Sequence, residues 1–225
     1  MNQKLLLGTS NPGKINEFKQ ILQNIPYRLT TLEEESCNIE VIETGKTFLE
    51  NATLKATQYA NATKLPCLSD DSGIEIDALN GRPGIYSARY GGPELSDDER
   101  VQLILEEMKN IPYENRKARF KASIVVAWPD GKILEKEATM EGIINFSPIG
   151  KNGFGYDPIF LLPEFDKTSA EIDPDKKNNR WIRFRYGDTG SARPGNRRPW
   201  ANPYAGVSNP QRKRPVRSTR PAKTP

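Results

Sequence analysis

Residues 8–14 read Gly-Thr-Ser-Asn-Pro-Gly-Lys, between a short apolar run at Leu5–Leu7 and a helix-like pattern. A helix start offers unpaired backbone N–H groups, a glycine admits close approach, and a lysine adds charge, so such a turn can cradle phosphate. The spacing is that of a nucleotide-binding P-loop. The residue after the lysine, however, is Ile15, where a P-loop carries Ser or Thr to hold Mg²⁺. At this point the stretch fits either a phosphate loop of another kind or an ordinary strand-to-helix turn, where Gly and Asn are common.

A second stretch, Asp70-Asp71-Ser72-Gly73, sets two carboxylates side by side. Adjacent carboxylates are costly together unless they share a cation. Mg²⁺ takes one or two carboxylates and completes its shell with water and phosphate oxygens. A solvated acidic turn would read the same way, so the company of this stretch matters. Residues 42–56, IETGKTFLENATLKA, bring Glu43, Glu50, Asn51 and Lys55. Residues 150–160, GKNGFGYDPIF, set Phe154 and Tyr156 among three glycines, followed by Asp157-Pro158. Aromatic rings in a Gly-rich loop suit stacking on a base; a loop with one aromatic tucked inward is the alternative.

These residues need elements to hold them. Lys4–Gly8 reads as a buried strand. Lys14–Gln23 places Ile15, Phe18, Ile21 and Leu22 on one helical face. A strand is expected near Tyr27–Leu32. Thr47 and Glu50 fit a capping box opening a helix to about Ala62, with Ala52, Ala56, Tyr59 and Ala60 inward. Cys67–Asp70 reads as a short strand ending in the acids. Ser96 and Glu99 form a second capping box, before a helix with Val101, Ile104, Leu105 and Met108 on one side. From Arg116 the pattern alternates, turns at Pro129-Asp-Gly-Lys132 and alternates again, which predicts a long antiparallel hairpin. The fold class expected is α/β, with a mixed twisted central sheet and flanking helices.

Composition narrows the chemistry. The chain has 225 residues and no histidine, which excludes Ser-His-Asp triads, Cys-His pairs and His-ligated zinc. Its two cysteines, Cys37 and Cys67, make a disulfide framework improbable and point to a reducing cytoplasm. No apolar run is long enough to span a membrane, and the opening triplet of leucines is too short for a secretory signal. The formal charge is +4, but residues 178–225 hold ten Arg, two Lys and one Asp, net +11, which leaves −7 for residues 1–177. The overall basicity therefore belongs to the tail and says nothing of nucleic-acid binding by the body.

Taken together, T-x-N-x-x-K, F-x-E-N-A-x-x-K-A, D-D-S-G-x-x-x-D-A-L, G-x-Y-S-A-R-Y and F-G-Y-D-P-x-F resemble, in this order, the inosine triphosphate pyrophosphatase family. The resemblance covers residues 4–177. It implies two lobes around a nucleotide cleft, and Mg²⁺-dependent hydrolysis of deaminated purine nucleoside triphosphates (ITP, dITP, XTP) to monophosphate and pyrophosphate. It implies that Thr9, Ser10, Asn11, Pro12, Gly13 and Lys14 hold the triphosphate, with Ser72 touching the substrate. Glu43 and Asp71 would bind Mg²⁺, Asp71 doubling as the base, and Lys55 would neutralise phosphate charge. Phe154, Gly155, Tyr156 and Asp157 would form the base pocket, with the aromatics on the purine, and Lys177 would sit beside the nucleotide. A homodimer is also implied, with the long hairpin as a contact.

The resemblance stops near Asn178. Relatives carry Ser-His-Arg a few residues past the lysine, then an amphipathic helix; here Trp181, Ile182 and Arg183 stand there, and only Arg183 matches. Residues 178–225 contain seven prolines and no apolar period, so they are expected to be disordered. Two origins fit: an evolved basic arm for nucleic acid, or a reading-frame shift near residue 178, which the abrupt change favours. Three functions follow: the hydrolase, a catalytically impaired nucleotide binder of the same fold, and a nucleic-acid binder acting through its tail.

Overall fold

The computed structural model describes residues 3–173; Lys177 and the segment 178–225 lie outside the described residues. In chain order the main elements are β1 (Gln3–Leu7), α1 (Pro12–Ile21), β2 (Tyr27–Thr31), α2 (Phe48–Thr63), β3 (Cys67–Ile76), α3 (Asp97–Glu107), β4 (Lys117–Ala127), β5 (Ile133–Ile144), β6 (Phe160–Leu162) and β7 (Lys167–Thr168). Among the described residues they build one seven-stranded sheet in the order β2-β1-β3-β4-β5-β6-β7. β1 is parallel to both β2 and β3, and every later pairing is antiparallel. The expected mixed α/β class is what the chain adopts.

Side chains alternate across a strand, and the apolar residues of β1 divide accordingly. Leu5 and Leu7 pack with Phe18 of α1. Leu6, between them, packs with Ala52, Ala56 and Ala60 of α2 on the other face. The β1-α1-β2 and β2-α2-β3 crossovers run in opposite directions along the sheet, so right-handed connections put their helices on opposite faces. A third cluster unites the far half of β3 (Ile74, Ile76) with Val101, Ile104 and Met108 around α3 and with Ile159, Phe160 and Leu162.

Local signals explain the helix starts. Asn11 Oδ1 accepts the Lys14 N–H at 3.2 Å, and Pro12 occupies the first helical turn, where its missing N–H costs nothing. α1 thus begins two residues earlier than the apolar period predicts. Ser96 and Glu99 close the expected reciprocal box at α3. At α2 only half of the box forms: Thr47 Oγ1 accepts the Glu50 N–H at 3.1 Å, but Glu50 accepts the Lys46 N–H at 2.6 Å.

One expectation needs correction. The strand from Cys67 does not end at the acids in a turn; it runs ten residues, to Ile76. β4 pairs with it along that whole length, whereas β1 pairs with only Cys67 and Leu68. Asp70 and Asp71 therefore lie in mid-strand, just past the point where one neighbour has stopped. The hairpin of β4 and β5 is present as expected, in register from Lys117↔Ile143 to Ala127↔Ile133.

Arg116 is the largest fully buried side chain among the described residues. Its Nε donates to Ile144 O at 2.7 Å, Nη1 to Met108 O at 2.7 Å and Ile111 O at 3.2 Å, and Nη2 to Asn145 O at 3.0 Å. It joins the C-terminal end of α3 to the end of β5 and the start of the loop that carries Phe154. Burial pulls its pKa down to about 10, so it is still a cation at neutral pH, and the carbonyls are what offset its desolvation. Removing it takes a donor from four carbonyls, of which Met108 O keeps the Ile111 N–H and Ile111 O is only partly buried. Arg116→Met is expected to cost about 3 kcal/mol or more, a melting temperature lower by about 6–12 °C for a domain of this size. Thermal denaturation followed by circular dichroism checks this, and an unchanged midpoint would contradict the assignment.

Candidate active site

The turn between β1 and α1 is held by close approach. Gly8 N–H donates to Leu68 O at 2.7 Å, and Ser69 Oγ donates back to Gly8 O at 3.1 Å. A Cβ on Gly8 would stand 2.2 Å from Ser69 Oγ and 2.6 Å from Cys67 Sγ, so only glycine lets β1 leave the sheet this close to β3. Thr9 Oγ1 accepts the Asn11 N–H at 3.2 Å, which folds the turn back toward α1. Ser10, Asn11 and Pro12 are exposed, and Thr9, Gly13 and Lys14 are half-buried.

Mid-strand placement sends Asp70 and Asp71 to opposite faces of the sheet. On the α1 face, Asp70 is 1% exposed and meets Lys14, its Oδ2 lying 2.8 Å from Lys14 Nζ. Ser72, two residues on and on the same face, has its Oγ 3.4 Å from Asp70 Oδ2. On the α2 face, Asp71 Oδ2 accepts Asn51 Nδ2–H at 3.1 Å, and Asp71 Oδ1 lies 3.9 Å from Lys55 Nζ. Lys55 in turn donates to Glu43 Oε1 at 2.5 Å, and Arg89 Nη1 lies 3.5 Å from Glu43 Oε2. Asn51 and Lys55 are one helical turn apart on α2, so both reach the same carboxylate. Glu43, Lys55 and Asp71 are thus brought together, with Lys14 and Asp70 across the strand.

This arrangement shifts proton affinities in different directions. Burial, helped by the charge of Glu43, pushes Asp71 above the usual carboxylate range, while Lys55 and the Asn51 hydrogen bond oppose it. Burial also pushes Glu43 up, but the Lys55 hydrogen bond and charge, with Arg89 and Lys14, outweigh it and hold Glu43 below its ordinary value. Burial pulls Lys55 down, and Asp71, Glu43 and Asp70 more than offset it, leaving Lys55 above its ordinary value. A raised carboxylate beside a cation-held one is the kind of pair from which a base and a charge anchor are drawn. Cys67 is excluded as a nucleophile, since burial pushes its thiol up to about 12.

The Gly-rich loop divides its aromatics. Phe154 is exposed and sits beside the Thr9–Lys14 turn: a Cβ on Gly13 would meet its Cδ1 at 3.4 Å. Asp157, nearly fully buried, accepts the Phe154 N–H through Oδ2 at 3.0 Å, and Asp97 at the start of α3 accepts the Gly155 N–H at 3.0 Å. Tyr156 is placed otherwise than expected. Its ring belongs to the apolar cluster around Ile74, Ile104 and Ile159, and its hydroxyl donates to Ser87 O at 2.8 Å. A ring committed to the core cannot also stack on a base. Lys177 lies outside the described residues.

Sequence reasoning gave no role to three residues that the geometry brings in. Asn51 stood in the F-x-E-N-A block and Arg89 in G-x-Y-S-A-R-Y, so their motifs were visible while their partners were not. Asp97 read only as an acid in a helix's first turn.

A mixed sheet with a phosphate-type turn at one strand end, and carboxylates on the neighbouring strand held by lysines, defines the class of a nucleotide-handling α/β protein. Comparison with known proteins takes this further. The Ham1 family model matches residues 5–186. The dITP/XTP pyrophosphatase of Thermus thermophilus is 49% identical over 174 residues, covering 77% of this chain and 83% of the relative. That of Halalkalibacterium halodurans is 45% identical over 179 residues, covering 80% and 92%. A solved HAM1 protein from Coxiella burnetii superposes with a TM-score of 0.73 at 37% identity, covering 82% of this chain and 92% of the other. The chain belongs to the Ham1 family, and the resemblance read from its motifs is borne out.

Asn51 is fully buried, with its Oδ1 accepting the Gly45 N–H at 2.8 Å while its Nδ2 serves Asp71. Asn51→Leu keeps the volume and strands both partners, so it is expected to cost about 1–3 kcal/mol for each buried group left unpaired. Urea unfolding measures this; a midpoint equal to the parent's would mean that these bonds do not hold the site.

Proposed function

We propose that this chain is a nucleoside triphosphate pyrophosphatase that converts deaminated purine nucleoside triphosphates (ITP, dITP and XTP) to the monophosphate and pyrophosphate, with Mg²⁺. The observation that carries the reading is that Glu43 and Asp71 face one ammonium, Lys55, while Lys14 of the phosphate turn meets the adjacent Asp70. The names of the dITP/XTP pyrophosphatase relatives support the substrate class.

The donor set fits Mg²⁺. Two carboxylates already oriented on one cation offer the hard oxygen ligands it prefers, and the substrate's phosphates would complete the shell. Among the described residues no group of three or more His, Cys, Asp or Glu side chains is placed to hold a metal ion. Bound by Glu43 and Asp71, Mg²⁺ supplies neutralisation of phosphate charge and a more acidic attacking water.

The protein's own side chains do the rest. Water attacks the α-phosphorus, the bond from that phosphorus to the oxygen bridging toward the β-phosphorus breaks, and Asp71 receives the water's proton. Lys14 and Lys55 stabilise the charge that accumulates on the departing pyrophosphate, and the N–H groups at the start of α1 hold the phosphate chain. Phe154 is the stacking ring, with Gly155 and Asp157 beside it; Tyr156 supports the loop from below. No helix among the described residues is long and apolar enough to cross a membrane. The reading extends to cytoplasmic nucleotide-pool cleaning by a homodimer that uses the β4–β5 hairpin.

For the organisation of the chain, we take residues 1–177 as the catalytic domain and 178–225 as a tail produced by a reading-frame shift. An alternative frame of the coding DNA should then encode Ser-His-Arg followed by an amphipathic helix. A second reading, a nucleotide binder without turnover, is favoured by the sequence at 181–183, where two of those three residues are replaced. Pyrophosphate release from ITP, dITP, XTP and GTP, with and without Mg²⁺, separates the two. Turnover is expected with the deaminated purines and Mg²⁺, falling at least about 100-fold in Asp71→Asn. Equilibrium binding of ITP with no product, or turnover indifferent to Asp71→Asn, would refute the hydrolase.

A further inference from the structure

Lys55 occupies the carboxylates in a way that the hydrolytic role alone does not require. Its ammonium lies 2.5 Å from Glu43 Oε1 and 3.9 Å from Asp71 Oδ1, so it bridges the two groups that would hold the metal. Arg89 covers the other Glu43 oxygen at 3.5 Å, Asn51 covers Asp71 Oδ2, and Lys14 lies on Asp70. Three carboxylates (Glu43, Asp70, Asp71) thus face three cations (Lys14, Lys55, Arg89), and the cluster is electrically neutral without any ligand.

Neutrality has a consequence for the order of binding. A divalent ion entering alone must take Glu43 from Lys55. The acidic groups whose charge acts on Lys55 are Asp71, Glu43 and, from across the strand, Asp70; the first two would then hold the metal while Asp70 is held by Lys14. The displaced ammonium would remain half-buried beside a doubly charged ion, in a cluster carrying two uncompensated positive charges. Like charges at short range in a partly desolvated site are strongly unfavourable. A triphosphate arriving with the metal removes the penalty, because its oxygens accept both Lys55 and Lys14 as the carboxylates turn to the metal.

We propose that Lys55 is a resident cation that keeps Glu43 and Asp71 closed to divalent metal until a triphosphate arrives to take the lysine over, so that metal and nucleotide enter together. Lys55 is then a gate on metal entry as well as a phosphate ligand. The proposal rests on the assignment of Glu43 and Asp71 as metal-facing carboxylates, and it makes a prediction that involves no turnover: neutralising Lys55 strengthens binding of the metal alone.

The test is Mn²⁺ binding to the full chain without nucleotide, read by electron paramagnetic resonance of the free ion. The parent is expected to bind weakly. Lys55→Met is expected to bind at least about 10-fold tighter, since one positive charge beside the ion is gone. Lys55→Arg, which keeps the charge, should stay as weak as the parent. Glu43→Gln placed in the Lys55→Met background should abolish the gain. Lys55→Gln, with the same expected gain, replaces Lys55→Met should the latter lower the melting temperature. Neutral variants that fold and bind Mn²⁺ no tighter than the parent overturn the proposal, as does a gain that survives Glu43→Gln. Failure of the hydrolase reading shows separately, as absent pyrophosphate release from the parent whatever the Mn²⁺ affinities are.

Discussion

Two carboxylates, adjacent in sequence and both nearly fully buried, set the terms for this molecule. A buried carboxylate without a partner is far too costly to keep ionised, and neighbours on a turn would share one environment and repel. The strand geometry of β3 separates them instead, giving Asp70 to one face of the sheet and Asp71 to the other. Each face has its own helix, and each helix brings one lysine: Lys14 from α1 for Asp70, Lys55 from α2 for Asp71. The parallel arrangement of β1 between β2 and β3 places those helices on opposite faces, so fold and electrostatics answer the same constraint.

The second requirement is an opening in the sheet. β1 pairs with only the first two residues of β3 and then leaves through Gly8, where the backbone touches Ser69 and Cys67 too closely for any side chain. Past that point, among the described residues, that edge of β3 meets only the isolated Glu75–Pro83 bridge, and the Thr9–Lys14 turn, the acids and Phe154 gather near its start. Beyond α3, Arg116 ties the helix end to the root of the Phe154 loop, while Asp97 and Asp157 hold the loop's own N–H groups. This region rests on the largest of the three apolar clusters among the described residues, and the polar groups named here are satisfied around it.

Much of this was legible in the sequence. The apolar period of α2 and the Ser96 capping box marked elements whose stability is local, and the Asp-Gly turn between β4 and β5 fixed the hairpin. The motif blocks singled out lysines and carboxylates that the fold brings together. What escaped depended on partners distant in the chain. β3 was cut short at Asp70 because acids in mid-strand contradict propensity; β4, some fifty residues later, supplies the pairing that overrides it. Tyr156 and Phe154 are equivalent in a string of glycines and aromatics, and only the packing of Ile104 and Ile159 makes one a core ring and leaves the other at the turn. The short strands β6 and β7 carry no alternation long enough to read. Asn51 could be seen but not assigned, since its role is set by Asp71 and Gly45 together.

The central claim is that Glu43 and Asp71 share one divalent ion with a triphosphate lying on the Thr9–Lys14 turn. A crystal structure of the full chain with Mn²⁺ and a non-hydrolysable α,β-methylene analogue of ITP tests it most directly, through the anomalous signal of the ion. The account predicts a single strong peak between the Glu43 and Asp71 carboxylates, touching phosphate oxygens, with Lys55 turned from Glu43 to the phosphates. A peak remote from both carboxylates, or a phosphate chain bound away from the turn, would contradict it.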